Sequence, residues 1–148
     1  MKKFRFSLET VLDYKQQALD ALQVEHGAIL ARVRAQEVEI QEMETAYRQL
    51  DEEFAQRKME GITIVEAMKY EQYLRAAERQ LEEAYKRLEE LRKQAEAKRQ
   101  EVVEAKKETS SIEKLREKKL DAYHKEEAKN EELFIEEFVS STRAVHSA

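Results

Sequence analysis

The sequence contains no cysteine, no proline and no tryptophan, and it has only two glycines among 148 residues. Sandwiches, barrels and α/β domains need frequent turns, and turns depend heavily on Gly and Pro. The shortage of both residues therefore disfavours all of these fold classes. The absence of cysteine also excludes disulfides, zinc sites with thiolate ligands and thiol nucleophiles from these residues, and it is typical of a reducing cytosol.

Charged residues make up 40% of the sequence and hydrophobic residues 41%, with a formal net charge of −5. This composition is typical of long helices and coiled coils. The acidic balance, with basic pairs interleaved among glutamates, does not suit nucleic acid, so we expect no nucleic-acid partner. The N-terminus lacks the apolar core of a signal peptide, and no stretch approaches the roughly 18 apolar residues that span a bilayer. We therefore expect a soluble protein whose membrane contact is at most peripheral.

Two heptad seams run along the sequence. Apolar residues recur at alternating spacings of four and three from Leu8 to Phe54 and again from Ala67 to Ile112. This spacing marks the apolar face of a coiled-coil helix. Between the seams, Gly61 suits the left-handed conformation that ends a helix, and Thr63 has capping-box spacing to Glu66. The pattern predicts two long helices joined by a tight turn.

The two seams mirror each other when the chain is folded at Gly61. Every position of the first seam finds a partner on the second if the paired residue numbers sum to 120 or 121, as for Ile40 with Leu81. Large residues then oppose many alanines, which lets two helices approach closely. We predict one all-α domain over residues 1–148, an antiparallel coiled-coil hairpin. Its helices are expected at about 7–60 and 64–138, with the turn at about 61–63.

The second helix is predicted to project beyond the first. Its pattern continues past Ile112 with large apolar residues that the first helix does not cover. These are Leu120, Tyr123, Leu133, Phe134, Ile135 and Phe138. Only Phe4 and Phe6 are close enough in the predicted register to contact them. Residues 140–148 have no apolar pattern, so we expect a frayed tail there.

The sequence offers no motif for catalysis. A phosphate-binding loop needs clustered glycines, whereas Gly27 and Gly61 are far apart. Asp121, His124 and Glu127 share one helical face, but carboxylate–histidine sites in bundles draw their ligands from several helices, and this segment has only one. We expect no catalytic residue, no metal ion and no cofactor, and therefore a protein that is not an enzyme.

Three segments carry a more specific signal. They are FRFSLETVLDYK at residues 4–15, GITIVEAMKYEQYL at residues 61–74 and IEKLREKK at residues 112–119. Together they resemble the flagellar FliJ family, and the resemblance covers nearly the whole chain. It implies a component of the flagellar type III export apparatus at the cytoplasmic face of the cell membrane. Family members are two-helix antiparallel coiled coils similar to the central stalk of rotary ATP synthases. The implied partners are the hexameric export ATPase, the membrane export gate and the export chaperones that the protein escorts.

The pattern and the resemblance together indicate two partner surfaces. At the projecting end we expect contact with the ATPase ring through Phe4, Phe6, Leu120, Tyr123, Phe134 and Phe138. Near the turn we expect contact with the export gate through Tyr47, Tyr70, Tyr73 and Leu74. Of these four, Tyr73 falls beside the seam, whereas the other three could simply pack within it. The alternative function is a generic structural spacer or adaptor, which would explain the heptads but not three matching segments.

Overall fold

The computed structural model describes residues 2–146. Helix α1 spans Glu9–Glu60 and helix α2 spans Ile64–His146. No strand occurs within the described residues. The two helices pack against each other, which confirms the predicted all-α, antiparallel coiled-coil hairpin. From Lys2 to His146, neither helix contains a stretch long and apolar enough to cross a membrane.

The turn between the helices is built by Gly61 and Thr63. Gly61 has a φ of 98°, a conformation that costs glycine little because it has no Cβ. Thr63 caps α2, since its Oγ1 accepts a hydrogen bond from the backbone N–H of Glu66 at 3.2 Å. The Glu66 carboxylate also receives a hydrogen bond from Arg57 at 3.2 Å, which links the two helices beside the turn.

The chain divides into two compact units. The turn unit consists of Ala21–Val102 and contains the turn. The terminal unit combines the residues up to Asp20 with those from Val103 onward.

The core of the turn unit follows the predicted seams. Its buried members are Val33, Ile40, Ala84, Leu88 and Ala95, and five partly buried residues pack around them, namely Ile29, Leu30, Met43, Leu81 and Leu91. Gln36 is a polar exception on the seam, and it is 8% exposed. Its side-chain Nε2 donates a hydrogen bond to the Ala84 carbonyl at 3.0 Å, in the register that pairs these two positions. A buried amide that is satisfied in one register helps to specify that register.

The terminal unit combines the start of α1 with the later part of α2. Lys15 lies on the α1 seam, and its Nζ reaches the Glu108 carboxylate at 2.9 Å. This hydrogen bond and the negative charge of Glu108 raise the pKa of Lys15. The polar seam position is therefore neutralised by a partner at the edge of the seam.

The end of α2 differs from our expectation. We expected an irregular tail from Ser140, but α2 continues to His146. No Gly or Pro follows Gly61, so nothing in the backbone stops the helix. The Thr142 hydroxyl donates to the Phe138 carbonyl at 2.9 Å, so this polar side chain is accommodated within the helix. The last two residues of the predicted tail, Ser147 and Ala148, lie outside the described residues.

Candidate functional site

The four residues predicted near the turn, here called the turn surface, differ in exposure. Leu74 is buried at 5% exposure, and Tyr47 and Tyr70 are half-buried. Tyr73 is 62% exposed. Leu74 therefore has almost no area left to offer a partner, and Tyr73 is the residue of this set that is available for contact.

Each half-buried tyrosine of the turn surface is tied to a glutamate across the hairpin. The Tyr70 ring stacks on Phe54 with centroids 5.0 Å apart, and its hydroxyl donates to Glu53 at 3.1 Å. Burial and this hydrogen bond raise the pKa of Tyr70. The Tyr47 hydroxyl donates to Glu78 at 2.8 Å, and this hydrogen bond raises the pKa of Tyr47. Both hydroxyls are thus held as neutral donors that join α1 to α2.

Glu78 accepts hydrogen bonds from two side chains in the turn unit. Arg75 donates to both of its oxygens at 2.8 and 2.9 Å, in addition to the hydrogen bond from Tyr47. The hydrogen bonds from Arg75 and Tyr47 hold the pKa of Glu78 below its ordinary value. The ionised carboxylate fixes the Tyr47 ring, so this side of the turn surface has a defined shape.

Four further apolar residues beside the turn are exposed, and our sequence analysis did not select them. They are Met59, Ile64, Val65 and Met68, with exposures of 85%, 81%, 65% and 56%. The signal was present, because each is a large apolar residue that falls off the seam next to the turn. Exposed apolar groups that lie close together are typical of interaction sites.

In the terminal unit, the N-terminal segment covers part of α2. Phe6 is buried at 8% exposure, and the Phe4 ring contacts the Tyr123 ring with centroids 5.6 Å apart. The Tyr123 hydroxyl donates to the Lys2 carbonyl at 2.6 Å. Arg116 lies over the Phe4 ring at 5.6 Å and donates to Glu9 at 2.9 Å. Phe4, Phe6 and Tyr123 therefore stabilise the terminal unit itself.

The C-terminal segment, residues 126–146, presents a row of exposed apolar side chains. Phe134 is 70% exposed and Phe138 is 65% exposed, whereas Leu120, closer to the N-terminal segment, is half-buried. The other exposed apolar residues of the segment are Leu133, Ile135, Val139 and Val145. The six residues predicted for the projecting end thus separate into four that pack in the terminal unit and two that stay uncovered.

Acidic residues surround this apolar row. The glutamate pairs are Glu126 with Glu127, Glu131 with Glu132, and Glu136 with Glu137. A shallow depression near the middle of the segment is lined by Glu127, Asn130, Glu131, Phe134 and Ile135. The chemistry of the segment is therefore apolar contact framed by negative charge, which suits an apolar partner surface with basic residues around it.

The residues that the structure describes bring together no set of metal ligands. Between Lys2 and His146, no group of three His, Asp or Glu side chains has the geometry to hold a metal ion. Each tyrosine hydroxyl of the turn surface that is hydrogen-bonded has a carboxylate as its acceptor. The arrangement supports contact between proteins and supplies no activated nucleophile at these positions.

An antiparallel two-helix coiled coil with exposed apolar residues at the turn and along the C-terminal segment defines a class of protein that acts by contacting other proteins. A family model described as "Flagellar FliJ protein" matches residues 4–146, so the chain belongs to the FliJ family. Membership makes it a structural component of the flagellar protein export apparatus at the flagellar base. Comparison with curated proteins finds no significant match, and neither does comparison with solved structures.

Proposed function

We propose that this protein couples the hexameric export ATPase to the membrane export gate and escorts export chaperones. In this proposal it is a cytoplasmic protein, peripheral at the membrane of the flagellar base. The observation that carries the proposal is the exposed apolar row of the C-terminal segment, where Phe134 is 70% and Phe138 is 65% exposed.

The C-terminal segment is the proposed contact to the ATPase ring. Isolated helices are marginal in water unless one face packs against a partner. Large apolar side chains that are exposed to water also raise the free energy of the protein, and burial against a partner surface would lower it. The ring interior would supply apolar groups for Phe134 and Phe138 and basic groups for the flanking glutamates, so association should weaken with added salt.

The N-terminal segment has a supporting part in this contact. Phe4, Phe6 and Tyr123 pack within the terminal unit and would orient the start of the C-terminal segment. Leu120 is half-buried beside them. In this proposal, these four residues orient the C-terminal segment, and the exposed Phe134 and Phe138 contact the ATPase ring.

Truncation after Lys119 tests the ATPase contact. We expect the truncated chain to keep its helical hairpin, because the seam layers end at Ile112, and to lose binding to the purified export ATPase. Circular dichroism gives the helix content and co-sedimentation gives the binding. A truncated chain that binds the ATPase as tightly as the full chain would exclude residues 120–146 as the contact.

The turn surface is the proposed contact to the export gate. Tyr73 supplies an exposed aromatic ring, and Met59, Ile64, Val65 and Met68 supply exposed apolar area beside the turn. Tyrosine and methionine are both enriched in the centres of protein interfaces. Tyr47 and Tyr70 would act by fixing the shape of this surface through Glu78 and Glu53.

Replacement of Tyr73 tests the gate contact. Tyr73→Ala should leave thermal unfolding nearly unchanged, because the side chain is exposed, and should reduce swimming motility in cells that carry the variant. Tyr14→Ala is the matched control, since Tyr14 is 69% exposed and lies away from the turn in sequence. If both variants swim like the wild type, Tyr73 is not part of a required contact.

A further inference from the structure

Helix α2 carries two rows of like charge, one in each unit. The acidic row of the turn unit consists of Glu71, Glu78, Glu82 and Glu89, and the basic row of the terminal unit consists of Lys107, Lys114, Lys118 and Lys125. Both rows have successive spacings of seven, four and seven residues. Such a row spans 18 residues, which is five turns at about 3.6 residues per turn, so each row runs straight along its own stretch of helix.

Seven of the eight side chains in these rows are exposed to solvent, whereas Glu78 is half-buried and accepts hydrogen bonds from Arg75 and from Tyr47 of α1. The side chains of Glu82 and Glu89 are each 71% exposed, and that of Lys107 is 70% exposed. The other three lysines of the basic row are also exposed and form no ion pair within residues 2–146. The ion pairs of the acidic row lie within α2, such as Glu82 with Lys86 at 3.8 Å and Glu89 with Lys93 at 3.6 Å. Exposed pairs of this kind contribute little to stability and can exchange for other partners.

We propose that a second copy of this chain binds these rows. The acidic row of the turn unit of one copy lies antiparallel along the basic row of the terminal unit of the other. The spacing of seven, four and seven residues is the same from either end of a row. All four Glu–Lys pairs of two antiparallel rows therefore form in one register, in which the paired residue numbers sum to 196. The central pairs are Glu82 with the partner's Lys114 and Glu89 with the partner's Lys107. In the proposed dimer, the acidic row of each copy meets the basic row of the other, so the same contact is made twice and the assembly closes.

The neighbouring charges of both rows agree with this register. Arg75 would face the partner's Asp121. Arg92, which pairs with Glu37 of α1 at 3.2 Å, would lie nearest the partner's Glu104. No charged residue between the row positions on this face would meet a like charge. Charge complementarity that extends to the flanking residues increases the specificity for one partner and one register more than it increases the affinity.

A parallel, staggered arrangement fits less well. A shift of 36 residues also places the acidic row on the basic row. That shift would put Lys93 opposite the partner's Lys129 and Glu96 opposite the partner's Glu132, and like charges repel. It would also leave one row of each chain unpaired, so the assembly would grow instead of closing.

An extended polyanion is the other class of occupant for the basic row. The lysines of this row share their helix with Glu104, Glu113 and Glu117, all of them exposed. A flat anionic membrane or a duplex would meet these glutamates as well as the lysines, because the other side of a helix is only about 10 Å away, a distance comparable to the Debye length at 0.1 M salt. A second helix alongside meets one row alone, which favours the second copy.

Sedimentation of the full chain tests the proposal. We expect a concentration-dependent monomer–dimer equilibrium at about 0.01 M salt, where the Debye length is about 30 Å, and at least a tenfold higher dissociation constant at about 1 M, where it is about 3 Å. A chain that stays monomeric at low salt up to about 1 mM would overturn the proposal. Binding to vesicles with anionic lipids that E82K/E89K retains and K107E/K114E loses would also overturn it, because the occupant of the basic row would then be a membrane.

Charge reversal distinguishes this contact from any other self-association. E82K/E89K and K107E/K114E should each be monomeric alone, and an equimolar mixture should restore the dimer because opposite charges again face each other. The control E39K/E52K makes the same change in net charge as E82K/E89K, on exposed residues of α1, and should dimerise like the wild type. Dimerisation of either single variant at wild-type strength, or no recovery in the mixture, would contradict the register.

The lack of cysteine in the chain allows a test of orientation. A short bismaleimide should crosslink E82C to K114C when the two single-cysteine chains are mixed, as the antiparallel register requires. Crosslinking of E82C to K118C instead, together with oligomers larger than a dimer, would show the parallel arrangement and refute the proposal.

Discussion

Tyr47, Arg75 and Glu78 form a small network on the turn unit that shows how polar side chains fix an exposed aromatic surface. The Glu78 carboxylate accepts hydrogen bonds from both partners, and these lower its pKa. A depressed pKa in the folded state means that the ionised carboxylate favours folding. The network therefore links the shape of the turn surface to the charge state of a single glutamate.

The pH dependence of stability follows from this shift. The contribution of Glu78 is fully present above the ordinary glutamate pKa of 4.5 and is lost as the pH falls through the lower pKa of the folded state. Glu78→Gln should therefore lower the melting temperature at pH 7 and have a smaller effect near pH 2. Glu52→Gln is the control, since Glu52 forms no ion pair within residues 2–146. A difference between wild type and Glu78→Gln that stays constant down to pH 2 would show that the carboxylate charge is not involved.

At the scale of the elements, the two glycines have opposite effects on the helices. Gly61 lies at the turn with a φ of 98°, whereas Gly27 lies on an exposed position inside α1. Beyond the local backbone and the two neighbouring residues, a Cβ added at either position would meet no atom within 4 Å. The effect of an alanine therefore depends on backbone conformation alone.

Alanine at these two positions should change stability in opposite directions. Gly61→Ala should destabilise by about 1–2 kcal/mol, because the left-handed conformation brings a Cβ close to the backbone. Gly27→Ala should stabilise by about 0.5–1 kcal/mol, because alanine restricts the unfolded chain and favours the helix. Chemical denaturation of the two variants measures both changes. A stabilising Gly61→Ala would mean that the turn does not need its positive φ in solution.

The sequence predicts the segments in which the two helices pack against each other well, and it predicts the unpaired end of α2 less well. The heptad spacing identifies Val33, Ile40 and Leu88 as core positions, because each helix can bury only one face against the other. The end of α2 was missed, because an unpaired helix needs no apolar pattern to continue when it lacks Gly and Pro. Periodicity does separate Leu74, which lies on the seam and is buried, from Tyr73 beside it, which is exposed, and this difference decides which residue can contact a partner.

On the scale of the whole molecule, the candidate surfaces consist of apolar residues that the packing between the two helices does not cover. The pattern predicted the exposure of Phe134 and Phe138, since the first helix has no residues to pair with them. It did not predict that the Tyr123 hydroxyl would bind the Lys2 carbonyl, because a backbone acceptor in an irregular segment leaves no sequence signal. Family membership in turn depends on the match of residues 4–146 and not on any single surface.

The most direct test of the central claim is the rate of ATP hydrolysis by the purified export ATPase as full-length protein is titrated in. The account predicts that the wild-type chain raises the rate and that F134S/F138S, with the same helix content, does not. The control V24S/V38S replaces two residues that are 73% and 54% exposed in the turn unit, and it should stimulate like the wild type. Full stimulation by F134S/F138S would contradict the claim that the C-terminal segment is the coupling element.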